Sequence, residues 1–134
     1  MRDSLSVAQA GFVNGLQKGL HARVSQGGTN FSGGQRQRLA IARALMKKAD
    51  LYIFDDSFSA LDFKTDAALR HALKTEVADA AVLIVAQRIN TILNADQIIV
   101  LDEGKIAGIG KHSELMQSCL VYQDIARSQM TGEA

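Results

Sequence analysis

Proline is absent from the 134 residues. No position is locked in φ or stripped of its backbone donor, which suits a chain made mostly of helices and strands. There is a single cysteine, Cys119, so an internal disulfide is excluded and a reducing, cytosolic setting fits. A surplus of one charge is missing as well. The formal net charge is +1, which gives no reason to expect a nucleic acid or a membrane surface as partner. The longest apolar run, residues 80–86, falls far short of the roughly 20 residues that cross a bilayer. The opening MRDSLSVAQAGFV holds no apolar stretch adequate for a signal peptide. If the protein serves a membrane system, the membrane part is expected to lie elsewhere.

What is present is a chain with 47% hydrophobic residues, enough to bury a core if that core is complete. Residues 5–20 read as a loosely apolar helix (Leu5, Ala8, Phe12, Leu16) ending at Gly19, and residues 25–34 as a glycine-rich loop. From Gln35 to Lys48 the pattern becomes that of an amphipathic helix with Leu39, Ala42, Leu45 and Met46 on one face. Lys47 and Lys48 close it where cations suit the helix dipole. Residues 51–54 are a short apolar run stopping at two aspartates, expected as a buried strand. Asp62 is placed to cap a helix over residues 63–77 that buries Ala67, Leu69 and Leu73 or their neighbours. Residues 81–86 and 96–102 read as two more buried strands, and Glu103-Gly104 turns the latter into a fourth over residues 105–109. Residues 112–118 and 121–128 form a helical tail. This alternation predicts an α/β fold with a mostly parallel sheet flanked by helices.

Two constellations carry chemistry. The first is Ser32-Gly33-Gly34 at the start of a helix. A phosphate needs several donors and no side chain in the way. Ser32 offers a hydroxyl, the glycines let backbone N–H groups approach, and the helix beginning near Gln35 adds its positive end. On its own, Ser-Gly-Gly is more often an ordinary helix cap whose glycines shape a loop. The second is Asp55-Asp56 at the end of an apolar strand. There one carboxylate can hold Mg²⁺ on a nucleotide and the next can orient an attacking water. Both residues also serve simply as strand and turn caps. Three scattered histidines make no metal site with Cys119: His71 is expected on a solvated helix face, His21 has no evident partner, and His112 is expected to start a helix.

The order FSGGQRQRLAIARAL, LYIFDDSFSALD, IVAQRINTI resembles the ATP-binding domain of ABC transporters over roughly residues 20–115. This resemblance implies a partial P-loop NTPase fold that binds ATP with Mg²⁺. It implies that Ser32, Gly33, Gly34 and Gln35 are the signature that contacts the ATP of an opposite subunit. Asp55 matches the Walker B aspartate holding Mg²⁺ through water. Ser59, Ala60, Leu61 and Asp62 match the D-loop that crosses the dimer interface. Phe31 stands where leucine is usual. Asp56 matches the catalytic position, which carries glutamate in active members, and Gln87 stands where the switch histidine is expected. Aspartate is one methylene shorter, roughly 1.5 Å, and a misplacement of about 1 Å can cost on the order of 100-fold. Glutamine still donates an amide hydrogen bond but cannot become charged near neutral pH.

No GxxxxGK[ST] pattern occurs, so the Walker A loop is not among these residues, and neither is the family's glutamine loop. On the resemblance the chain is expected to be the C-terminal portion of one ATP-binding domain. Residues 1–48 would be the end of the helical subdomain with the signature helix, and residues 49–134 would run from Walker B to the tail. In this family the Walker A strand lies between the strands matching 81–86 and 96–102, so a gap in the sheet is implied. The implied partners are a second ATP-binding domain and a transmembrane domain, at the cytoplasmic face of the membrane. The absence of proline from DDSFSALD, together with VAQRINTI, points to the exporter type. The combination of an intact signature with Asp56 and Gln87 resembles the degenerate-site half of a heterodimer. Two alternatives stay open: the ABC-type head of a DNA-maintenance ATPase, against which Gln35 and the lack of heptads speak, and a non-functional gene remnant.

Overall fold

The computed structural model describes residues 2–130. They form six α-helices and four strands in the order α1 (Arg2–Val7), α2 (Gly33–Leu45), β1 (Leu51–Asp55), α3 (Phe63–Glu76), β2 (Ala81–Val85), α4 (Ile89–Ile92), β3 (Ile98–Asp102), β4 (Lys105–Gly110), α5 (His112–Ser118) and α6 (Leu120–Met130). The chain divides into two compact units, one ending at Val85 and one beginning at Ala86. The boundary drawn from sequence between residues 48 and 49 falls inside the first unit.

The strands lie in two separate two-stranded sheets. In the first, β1 and β2 run parallel, with Leu51 opposite Ala81 and Asp55 opposite Val85. The second is an antiparallel hairpin of β3 and β4, Asp102 facing Lys105. Glu103 and Gly104 turn it, both at positive φ (45° and 75°), as two-residue hairpin loops with the right twist require. The expected α/β class is present, and among the described residues parallel pairing is confined to β1 and β2.

The expectation of fully buried strands needs correction. Phe54 is buried, and Tyr52 and Ile84 lie partly buried against the core of the first unit with Leu45, Leu61, Leu69 and Leu73. The opposite face of that sheet carries Leu51, Ile53, Leu83 and Val85, all exposed, Ile53 at 61%. The hairpin repeats the pattern. Ile98 and Val100 pack with Leu115, Tyr122 and Ala126, while Ile99, Leu101, Ile106 and Ile109 stay exposed. Apolar runs of this kind are suited to a sheet covered on both faces, and here each sheet has one covered face. Burial raises the Tyr122 pKa above its ordinary value of 10.0, and the phenol meets His112 Nδ1 at 2.9 Å.

Three further differences have local causes. The helix expected over residues 5–20 is broken: α1 stops at Val7, Gln9 sits at φ 54°, and short 3₁₀ turns follow at Gly11–Gly15 and Gly19–His21. Arg38 from α2 holds the break, donating to the Gln9 carbonyl at 2.8 Å with its guanidinium 5.0 Å from the centre of the Phe12 ring. On α3 the buried residues are Leu69, Leu73 and, as the neighbour of Ala67, Asp66, which is bonded to Arg70 at 3.0 Å. On α2 the buried face includes Ile41, whereas Met46 is exposed.

The exposed apolar rows and the free edges of β1 and β2 favour association between copies. The 134-residue chain is expected to self-associate in light scattering, and Leu83→Lys, placing a charge in the middle of one row, is expected to reduce it. A monodisperse monomer would contradict this.

Candidate functional site

The expected signature residues stand at the mouth of α2. Ser32 is its N-cap, with an extended backbone; its hydroxyl accepts from Gln35 N at 3.2 Å, and Gln35 Oε1 accepts from Ser32 N at 3.0 Å. This reciprocal capping box follows from the Ser-x-x-Gln spacing. It occupies the acceptor side of the Ser32 hydroxyl and leaves its hydrogen available to donate. Gly33 and Gly34 are the first two helical residues, whose N–H groups have no acceptor inside a helix. Upstream, Asn30 shapes the approach by accepting from Ser25 N and donating to the Arg23 carbonyl. The result is a 13-residue helix whose start presents donors without side chains in front of them, which is the chemistry of an anion site.

The carboxylates arrive from β1. Asp55 ends the strand and is exposed. Asp56 follows at φ 48°, a left-handed conformation that few non-glycine residues adopt. Its N–H donates to the Val85 carbonyl at 3.0 Å, which ties the turn to the end of β2. Residues 57–61 curl back over the core, Phe58 and Leu61 buried and the rings of Phe54 and Phe58 5.5 Å apart. Asp62 caps α3, accepting from Thr65 N at 3.0 Å and from the Thr65 hydroxyl at 2.7 Å. These bonds hold its carboxyl below the ordinary aspartate value of 3.8. The cap is complete at pH values above that range and is lost as pH falls through the lowered pKa.

The structure brings the residues expected as signature and as D-loop together. Ala60 lies against the start of α2, so closely that a Cβ on Gly34 would sit 2.8 Å from the Ala60 carbonyl oxygen. A Cβ on Gly33 would meet the Ala60 Cβ at an ordinary 3.5 Å. Gln37, one turn further along α2, bonds to the same loop. Its Nε2 donates to the Asp56 carbonyl and to Ser59 Oγ, both at 3.1 Å, and its Oε1 accepts from Ala60 N at 3.0 Å. Sequence reading passed over Gln37, because a glutamine in QRQR looks like an ordinary polar helix face.

Gln87 belongs to the second unit and is exposed. Its carbonyl accepts from Gln129 Nε2 at 2.7 Å, and Gln129 Oε1 accepts from Ile89 N at 2.9 Å. The backbone around the expected switch position is thus held by the Gln129 side chain of α6, again a residue the sequence did not single out.

Among the described residues no group of three His, Cys, Asp or Glu side chains forms a metal cluster, and no helix is long and apolar enough to cross a membrane. Asp55 alone still fits Mg²⁺, which binds through one or two carboxylates together with waters and substrate phosphates. An apolar cavity of about 260 Å³ lies among Leu5, Val13, Leu16, Leu20, Phe31 and Leu39, and none of the candidate residues lines it.

The close approach at Gly34 predicts an asymmetry. Gly34→Ala must displace backbone and is expected to lower stability by about 1–3 kcal/mol. Gly33→Ala should leave the urea midpoint of the full-length protein unchanged or raised. Equal effects of the two would contradict the geometry.

Comparison with known proteins bears on the family of the chain. A family model described as ABC transporter matches residues 5–59. An uncharacterized ABC transporter ATP-binding protein of Mycobacterium tuberculosis (strain ATCC 25618 / H37Rv) is 52% identical over 130 residues, 96% of this chain and 22% of the relative. An ATP-dependent lipid A-core flippase of Bordetella pertussis is 44% identical over 130 residues, 96% of this chain and 21% of the flippase. The solved structure of a bacterial Atm1-family ABC exporter with ATP bound superposes with a TM-score of 0.89 at 30% identity, covering 96% of this chain and 24% of that one. The chain therefore spans about a fifth of the length of the curated relatives it matches. These relatives are named as transporters, which does not favour a DNA-maintenance head. With its capped Ser-Gly-Gly helix start, its paired aspartates and these likenesses, the chain belongs to the ABC transporter ATP-binding family.

Proposed function

We propose that this chain is part of the ATP-binding component of an ABC exporter, coupling ATP binding and hydrolysis to transport across a membrane. The observation that carries the reading is the capped, side-chain-free start of α2 pressed against the loop at Ala60. The exporter likeness and the ATP dependence in the names of the flippases support it.

The residues divide the work between two composite sites. Ser32 O–H and the N–H groups of Gly33 and Gly34 donate to the terminal phosphate of the nucleotide held by a second ATP-binding domain, with Gln35 fixing the Ser32 backbone. Asp62 and its neighbours Ser59, Ala60 and Leu61 form the loop that faces that second domain. On the chain's own side, Asp55 would hold Mg²⁺, Asp56 would accept from the attacking water, and Gln87 would donate its amide to phosphate. Magnesium-bound ATP supplies the electrophilic phosphorus and the cation that neutralises charge on the phosphoryl oxygens. The short carboxylate at Asp56 and the uncharged Gln87 make the own-side site a slow one. The intact signature serves a productive site on the partner. The assembly is accordingly a heterodimer at the cytoplasmic face of the membrane, each half joined to a transmembrane domain. The partner should carry glutamate and histidine at the matching positions.

The 134-residue chain by itself is expected to neither hydrolyse ATP nor bind it appreciably, because no phosphate-cradling loop with its lysine is present in it. Isothermal titration and an ATPase assay check this; turnover well above buffer would contradict it.

In the full-length pair, Ser32→Arg places a long side chain where phosphate must approach, and steady-state hydrolysis should collapse. Asp56→Asn removes a base already too short to work well, and hydrolysis should fall only modestly, by far less than the roughly 100-fold or more that a well-placed base contributes. If Asp56→Asn abolishes turnover while Ser32→Arg preserves it, the productive and slow sites are assigned the wrong way round.

A further inference from the structure

We propose that Gln37 is a positioning residue that fixes the phosphate-facing start of α2 to the loop of residues 56–60, so that the two composite sites share one rigid support. The proposal rests on the ATP-dependent function set out above.

Gly33, Gly34 and Gln37 are three and four residues apart and so lie on one face of α2. That face meets a single target. The two glycines allow the helix to come down on Ala60, where any Cβ at Gly34 would collide with the carbonyl oxygen. One turn later, Gln37 uses both ends of its amide on the same loop, donating to the Asp56 carbonyl and Ser59 Oγ and accepting from Ala60 N. The Asp56 carbonyl also accepts from the Ser59 hydroxyl at 3.0 Å, so several donors converge on the residue held at φ 48°. A left-handed aspartate persists only where its surroundings over-determine it. The bond that Asp56 N–H donates to Val85 on one side, and those its carbonyl accepts from Gln37 and Ser59 on the other, supply that determination.

The two ends of the clasp serve different nucleotides. The start of α2 faces the nucleotide of the partner, and Asp56 faces the nucleotide of this chain. A side chain that bonds α2 to the backbone of Asp56 therefore transmits displacement between them. Without the Gln37 amide, the Asp56 carbonyl, the Ser59 hydroxyl and the Ala60 N–H lose the hydrogen bonds that tie them to α2. The helix start then loses its fixed aim at the partner's phosphate. Orientation of this kind matters to the transition state more than to ground-state binding, and misplacement of about 1 Å costs on the order of 100-fold.

The test uses the full-length pair with Gln37→Ala and Gln37→Glu, the latter of equal length but without the amide donor. Both are expected to lower kcat by about tenfold while the KM for ATP stays within about twofold. The loss should exceed that of Asp56→Asn, because it acts through the signature and not only through the weak base. Hydrogen exchange at the Ala60 amide should quicken in Gln37→Ala while the melting temperature holds. Retention of kcat in both variants, with an active wild type, would overturn this proposal alone. So would a loss of kcat matched by a rise in KM and a fall in melting temperature, which is the signature of general destabilisation. A wild-type pair that binds no ATP would overturn the ATP-dependent function itself and this proposal with it.

Discussion

The contact between the start of α2 and the loop after β1 sets the geometry of everything else at the site. It depends on a glycine at position 34, since the Ala60 carbonyl leaves no room for a side chain. It also depends on Ser32 and Gln35 closing the helix end on themselves, so that the first amides of α2 keep their donors for a ligand. The strand supplies the other half. Phe54 and Phe58 anchor the turn in the core, which lets the carboxylates of Asp55 and Asp56 emerge at the exposed end of β1. Packing, capping and charge thus converge on about ten residues that come from distant parts of the first unit.

Two glutamines play the same physical role in the two units. Gln37 holds the backbone of Asp56, and Gln129 holds the backbone of Gln87 and Ile89. An amide suits this work because it offers a donor and an acceptor at fixed separation, matching the alternation of backbone groups along a loop. In each case a helix from elsewhere in the chain supplies bonds that the local sequence does not.

The candidate site was legible in the sequence where local rules govern it. Ser32 ahead of two glycines marked the start of α2, Asp62 that of α3, and Glu103-Gly104 the hairpin, each within a residue or two of the observed boundary. Legibility ended where tertiary context decides. Apolar runs at β1 and β2 reveal strands but not how many of their faces are covered, and each proved to have one exposed row. The helix expected over residues 5–20 fails at Gln9, because the bond from Arg38 that holds the break comes from a residue far along the chain. Asp66, the neighbour of Ala67, is buried, and the Arg70 pairing that makes this tolerable is not visible in periodicity. Gln37 and Gln129 were invisible for the same reason: their meaning lies in what they touch.

The central claim is that the Ser32 end of α2 works on a nucleotide held by another subunit. A Ser32→Cys variant of the full-length protein measures this most directly, because the native Cys119 is buried. The reagent is an ATP analogue with a thiol-reactive group on its terminal phosphate, and the readout is covalent labelling at position 32. Labelling that appears when the subunits are paired, and is absent from the same subunit alone, is the predicted result. Equal labelling of paired and unpaired protein, or none in the active pair, would contradict the account.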